Sequence, residues 1–200
     1  MANYSYLALG DSYTIGEQVP FAENFPNQTV QLLRRSGFAF YAAEIIAQTG
    51  WTTDELDNAI ENILTLECYD IVSLLIGVNN QYRGLSTNTF KVEFERILQK
   101  AILFAGNKPR HVFVLSIPDW GVTPFAAGRN DKQVAAEIDA FNDICETSAK
   151  EFQTNFISIT GQQRVDGNKQ EFLAPDGLHP SGKEYEKWAI KLADAVLKEL

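Results

Sequence analysis

Tyr4-Ser5-Tyr6-Leu7-Ala8-Leu9-Gly10-Asp11-Ser12-Tyr13 is the stretch that decides the fold: a short apolar run with aromatic residues, Tyr4 to Leu9, stopped by a glycine and small polar residues. Four more runs of strand character follow, at about Ala39 to Ala47, Ile71 to Ile76, His111 to Ile117, and Phe156 to Ile159. Between them the apolar positions recur every three or four residues, which is helical period. Leu56, Ala59, Ile60 and Ile63 form one such face, opened by Thr52 with Glu55 in capping-box spacing. Phe90, Phe94, Ile97, Ala101 and Phe104 form a second. Val134, Ile138, Phe141, Cys145, Ser148 and Phe152 form a third, with Asn130 as N-cap. A last helix starts at Ser181, with Glu184 in the same capping spacing and Tyr185, Trp188, Ala189, Leu192 and Val196 facing inward. Strands alternating with helices predict an α/β fold, a five-stranded parallel sheet between two helical layers. No linker, repeat or low-complexity segment interrupts the pattern, so residues 1–200 read as one domain.

Composition narrows the partners. The chain has 26 acidic and 17 basic residues, a net charge of -9, and no long run of Lys or Arg, which argues against nucleic acid or an anionic membrane surface. No apolar run approaches the roughly 18 residues of a membrane span, and Met1-Ala2-Asn3-Tyr4 lacks the start of a secretory signal; a cytoplasmic protein is the expectation. Cys68 and Cys145 are far apart without a CxxC and read as plain buried thiols. No Walker A loop, Gly-x-Gly-x-x-Gly or His-Glu-x-x-His occurs, so no metal and no cofactor is implied. Oligomeric state is not legible here.

In an open parallel sheet, ligands bind beyond the carboxyl ends of the strands. Four such ends carry Gly10-Asp11-Ser12-Tyr13, Gln48-Thr49-Gly50-Trp51, Gly77-Val78-Asn79-Asn80 and, after a loop, Asp176-Gly177-Leu178-His179-Pro180. A serine hydroxyl is a weak nucleophile near neutral pH and needs a base, and the base needs a group that fixes its tautomer. His179 can be that base for Ser12. Asp176, three residues earlier, can accept from its Nδ1. An attacked carbonyl becomes an oxyanion, and the backbone N–H groups of Ser12 and Gly50 with the Asn79 side-chain amide are candidate donors to it.

These four blocks, in this order, resemble those of the SGNH hydrolases, also called the GDSL esterases and lipases. The nucleophile block matches at Gly10-Asp11-Ser12, the glycine block at Gly50, the Gly-x-Asn block at Gly77 and Asn79, and the Asp-x-x-His block at Asp176 and His179. The resemblance runs from the first strand to the last helix. It implies a flavodoxin-like three-layer fold, ester hydrolysis through an acyl-serine, and Ser12, Gly50 and Asn79 as oxyanion donors. Tyr13 stands where the GDSL signature has leucine, and Asn80 where the family more usually has aspartate; altered loop packing is the expected consequence.

Blander roles compete for several residues. Asp11 reads as a structural acceptor for loop amides. His111, beside Arg110 at the start of its strand, lies at the opposite end of the sheet from the chemistry. Asp119 is a rival partner for the histidine, with poorer spacing than Asp176. Trp51, Tyr82, Trp120 and Phe125 follow strand ends and either line an acyl or leaving-group pocket or pack loops. The substrate expected is an ester of a lipid, sugar or small alcohol. The same residues also allow an acyltransferase or thioesterase, and the scaffold alone allows a non-catalytic binding module.

Overall fold

The computed structural model describes residues 3–63 and 65–200; Met1 and Ala2, read above for a leader, and Leu64 lie outside them. Five strands, β1 (Tyr6–Asp11), β2 (Glu44–Gln48), β3 (Ile71–Leu75), β4 (Val112–Leu115) and β5 (Asn155–Ile157), form one parallel sheet in the order β2-β1-β3-β4-β5. All six residues of β1 are buried, as are all of β3 and β4, because helices cover both faces. Truncating a fully buried side chain of β1 such as Leu9 to alanine costs about 2–5 kcal/mol.

The helices of the described residues are α1 (Ser12–Ile15), α2 (Phe25–Arg35), α3 (Thr53–Asn62), α4 (Val78–Tyr82), α5 (Thr87–Phe104), α6 (Asp131–Glu151), α7 (Thr160–Asp166) and α8 (Gly182–Val196). Right-handed crossovers send a connection to one face when the chain steps leftward and to the other when it steps rightward. Accordingly α2, which joins β1 to β2, packs with α8 on one face, while α3, α5 and α6 pack in a row on the other. The chain reverses direction across the sheet between β1 and β3, so the crevice beyond their carboxyl ends is the switch point where such sheets bind ligands. No helix among the described residues is long and apolar enough to cross a membrane.

Several local expectations hold. The capping box at Thr52 and Glu55 forms, and the Asn130 side chain accepts from Gln133 N at 3.2 Å. Others need correction. The second strand is confined to Glu44–Gln48: Phe40 makes only a single parallel bridge to Tyr4, and Tyr41 and Ala42 are exposed. His111 lies in a 3-10 turn before β4, and Ile117 leaves the strand to bond through its N–H and C=O with the Asn142 amide. The fifth strand starts one residue earlier than expected and ends at Ile157, because Ile159 N–H turns to Ser116 Oγ. Ile63 is exposed at the end of α3 instead of on its buried face. Ser181 and Glu184 form no capping box: the Ser181 hydroxyl donates to Glu171 O, and the Glu184 carboxylate accepts from Trp188 Nε1 and Lys187 Nζ. Cys145 is buried but Cys68 is exposed.

Candidate active site

Gly10 is the last residue but one of β1, packed so tightly that a Cβ would lie 2.4 Å from Leu75 O and 2.1 Å from Thr14 Oγ1 of α1. Only glycine allows that approach, which lets the chain turn at once from strand into α1. Ser12 is therefore the first residue of α1, and its N–H is one of the helix's unpaired leading donors. Asp11 caps this turn, its Oδ1 accepting from Tyr13 N at 3.0 Å. Asp11 is fully buried, and burial pushes its carboxyl up to about 7 in spite of the backbone hydrogen bonds from Tyr13 and from its own N–H.

From the far end of the chain, the segment before α8 folds into a small hairpin. Ala174 N donates to His179 O and Ser181 N to Phe172 O, flanking an antiparallel bridge between Leu173 and Pro180. Asp176 Oδ1 accepts from both Leu178 N and His179 N at 3.0 Å, a local turn that fixes the carboxylate beside the ring. Asp176 Oδ2 lies 2.6 Å from His179 Nδ1, and His179 Nε2 lies 3.0 Å from Ser12 Oγ. Partial burial raises the Asp176 pKa, but the His179 ring and the two backbone donors outweigh it, and the carboxyl falls below its ordinary value. An ionised carboxylate only accepts, so the imidazole proton sits on Nδ1 and Nε2 is left to accept from the serine hydroxyl. Ser12 and His179 are 4% and 7% exposed, enough to be reached from the crevice and little enough to be shielded from bulk water.

Gly50 lies in the turn after β2 with φ +84, which glycine adopts without strain. Among the described residues its N–H meets no protein acceptor. Asn79 is on the first turn of α4; its Nδ2 donates to Trp51 O at 3.0 Å and lies 3.4 Å from Asp11 Oδ2. Gly77, at φ +130, precedes it, where a Cβ would fall 2.7 Å from the Phe90 ring. Asn80 binds the start of α3, its Oδ1 accepting from Thr53 N and its Nδ2 donating to Thr53 Oγ1. Tyr13 packs its ring 4.9 Å from the His179 ring and 6.4 Å from Trp188. Both departures from the family pattern thus act in packing and loop fastening.

A cavity of about 160 Å³ opens over these groups, lined by Ser12, Gly50, Asn79 and His179 on its floor and by Val78, Tyr82, Trp120, Phe125 and Leu178 on its walls. Among the described residues no Asp, Glu, Lys or Arg lines it. Trp120 is fixed by its Nε1 donating to Gln81 Oε1, and it meets Tyr82 edge-on at 5.2 Å. Three of the four loop aromatics therefore form the wall. The fourth, Trp51, packs against the core and contributes its carbonyl to Asn79. Asp119 is no rival for the histidine: its Oδ1 accepts from Gly121 N and its Oδ2 from Arg164 Nε.

Residues 8–187 match a family model described as the GDSL-like lipase/acylhydrolase family. The chain belongs to that family. Its general activity is that of a hydrolase. Solved GDSL-type structures share the fold of this family member across nearly its full length. The lipase/acylhydrolase from Enterococcus faecalis has a TM-score of 0.78 at 19% identity, covering 98% of this chain and 97% of that one. The psychrotrophic esterase EstA from Pseudoalteromonas sp. scores 0.72 at 15% identity, covering 98% of each. The acetyl xylan esterase AlAXEase scores 0.74 at 17% identity, covering 96% and 99%. No curated protein sequence matches the chain.

The sequence reading missed two features of this GDSL-type site. One is the hairpin that holds Asp176 and His179, whose backbone pairing leaves no residue signature. The other is Arg83, whose Nη2 donates to Gly50 O at 2.6 Å.

Proposed function

We propose that this protein is a serine esterase that hydrolyses carboxylic esters through an acyl-serine intermediate. The observation that carries the reading is the continuous relay from Asp176 through His179 to Ser12, with contacts of 2.6 and 3.0 Å. Ser12 Oγ attacks the ester carbonyl while His179 Nε2 takes its proton, and Asp176 stabilises the imidazolium that forms. The negative charge moves to the carbonyl oxygen, where the N–H groups of Ser12 and Gly50 are free to donate. Asn79 Nδ2 supplies the third donor through the hydrogen that makes only a long 3.4 Å contact with Asp11 Oδ2, while its other hydrogen stays on Trp51 O. His179 then returns its proton to the leaving alcohol. A water deprotonated by the same ring attacks the acyl-serine and releases the acid.

The uncharged aromatic wall supports an apolar group, an aryl or short alkyl chain, on the part of the ester that enters the cleft. Tyr82 and Phe125 are each about half exposed, which supports entry of water as acyl acceptor. The test is Ser12→Ala against p-nitrophenyl esters of increasing acyl length, combined with an organophosphonate. Turnover is expected to vanish in the variant, and the phosphonate to label the wild type once, at Ser12. Undiminished turnover in the alanine variant overturns the reading; product analysis with alcohol, thiol and water offered together separates hydrolysis from transfer.

A further inference from the structure

We propose that Arg83 is a positioning residue that aims the Gly50 N–H into the oxyanion site, an inference that rests on the esterase reading above. Among the described residues the turn from Gln48 to Trp51 closes on itself only through Trp51 N to Gln48 O at 3.3 Å, and within it is a glycine, the residue whose peptide planes reorient most freely. A donor that must point at a developing charge cannot depend on so loose a turn. Its alignment comes from outside.

Side chains from α4 and its end fasten the segment at successive points. Arg83 Nη2 donates to Gly50 O at 2.6 Å, Asn79 Nδ2 to Trp51 O at 3.0 Å, and Asn80 Oδ1 accepts from Thr53 N at 3.1 Å. On the other side Thr49 Oγ1 donates to the Glu17 carboxylate, which follows α1. The turn is thus held between the loop that carries Ser12 and the loop that carries Asn79. Among these contacts only that of Arg83 falls on Gly50 itself, on the carbonyl of the Gly50–Trp51 peptide; the Gly50 N–H belongs to the preceding Thr49–Gly50 peptide, which is held from both sides, by Thr49 through Glu17 and by the fixed Gly50 carbonyl. Arg83 in turn leans on Glu55 at 3.3 Å, and the same Glu55 oxygen accepts from Thr52 N at 2.9 Å to cap α3. Its own N–H is bonded to Asn79 O, so the guanidinium is tied through the backbone to the residue that bears the third donor.

A role through Gly50 has a signature that a merely structural role lacks. Tilting one oxyanion donor weakens the transition state and leaves ground-state binding alone. Arg83→Met is therefore expected to lower kcat on p-nitrophenyl butyrate by about 10- to 100-fold with KM within about twofold, short of the loss from deleting a donor outright. Binding of phenylboronic acid, whose tetrahedral adduct places an oxygen at the oxyanion site, should weaken by a similar factor. Arg83→Lys, which keeps a cation and a donor, should recover part of both losses. The thermal midpoint should hardly move, because Arg83 is about half exposed and its ion pair contributes little to stability.

Unchanged kcat and boronate affinity in Arg83→Met overturn the proposal, and so does a loss of turnover that follows a lowered thermal midpoint. If the methionine variant fails to fold, Arg83→Lys alone decides: full kcat and full boronate affinity overturn the proposal, whereas a selective fall in kcat and in boronate affinity with KM unchanged supports it. Ser12→Ala keeps the two readings apart. A dead Ser12→Ala beside a fully active Arg83→Met sinks only the role of Arg83, while an active Ser12→Ala sinks the esterase reading beneath it.

Discussion

The molecule contains the trio serine, aspartate and histidine twice, once at each end of its sheet. At the carboxyl end Ser12, Asp176 and His179 are wired in series, carboxylate to Nδ1 and Nε2 to hydroxyl. At the amino end Ser5 and His111 each bond to Asp70, but the three are wired differently. The Asp70 carboxylate accepts directly from Ser5 N and Ser5 Oγ, at 2.7 and 2.9 Å, and His111 Nδ1 meets the Asp70 backbone carbonyl at 2.7 Å. There the hydroxyl donates a hydrogen bond to a carboxylate that ties the starts of two strands together, and among the described residues the imidazole forms no hydrogen bond with a serine. Residue type at a location does not make a relay; the order of the links does. Strand polarity adds to the difference, since only the carboxyl end opens into the crevice at the switch point.

The sharpest way to break this comparison is to remove each imidazole in turn. His179→Ala should lower kcat by about 10⁵- to 10⁶-fold, the scale of losing the base of such a relay, while His111→Ala should leave kcat within about twofold, because no hydroxyl depends on it. Comparable losses in steady-state turnover would show that the wiring argument is wrong. The aspartates come next. Asp176→Asn should cost about 10⁴-fold in kcat by presenting a donor to Nδ1 and upsetting the tautomer. Asp70→Ala should leave turnover intact and cost about 1–3 kcal/mol in denaturant unfolding, the penalty for orphaning Ser5 N–H.

The smallest effect separates two carboxylates within the active end. Asp176 titrates below its ordinary value in the folded protein, so its contribution to stability is present above about pH 4 and fades as the pH falls through its folded pKa. Asp11 has the opposite sign. Its folded pKa of about 7 exceeds the unfolded value of about 4, so the native state binds the extra proton between those limits and stability declines as pH rises through them. Asp11→Asn retains an acceptor for Tyr13 N and removes the titration. Thermal midpoints measured from pH 5 to pH 8 should therefore fall less in the variant than in the wild type; identical slopes would place the proton elsewhere.

What could be read before the structure was whatever is encoded in spacing. The three-residue step from Asp176 to His179 is a local turn in which one carboxylate oxygen takes two amides and the other the ring, so short-range geometry fixes it. Ser12 after an apolar run is likewise a local signal. Tertiary competition spoiled the rest. Glu184 has capping spacing from Ser181, yet the Trp188 indole and Lys187 claim its carboxylate. Phe40 has strand character, but it meets β1's extension only through one bridge to Tyr4. Arg83 reads as an ordinary solvated charge because its partner, a backbone carbonyl 33 positions away, has no letter in the sequence.

The hydroxyl and imidazole are 167 positions apart, one on the first strand's exit and the other just before the final helix, which docks on α2. A contact of such high contact order is among the last that a folding chain can afford in entropy. During synthesis, when the amino-terminal part emerges first, the nascent sheet can assemble with Ser12, the proposed nucleophile, still without its imidazole. On the proposed mechanism, reactivity would wait for α8 to seat, so lesions in the apolar face of α8, at Tyr185, Trp188 or Leu192, should show in the rate of reactivation after denaturation before they show in helix content.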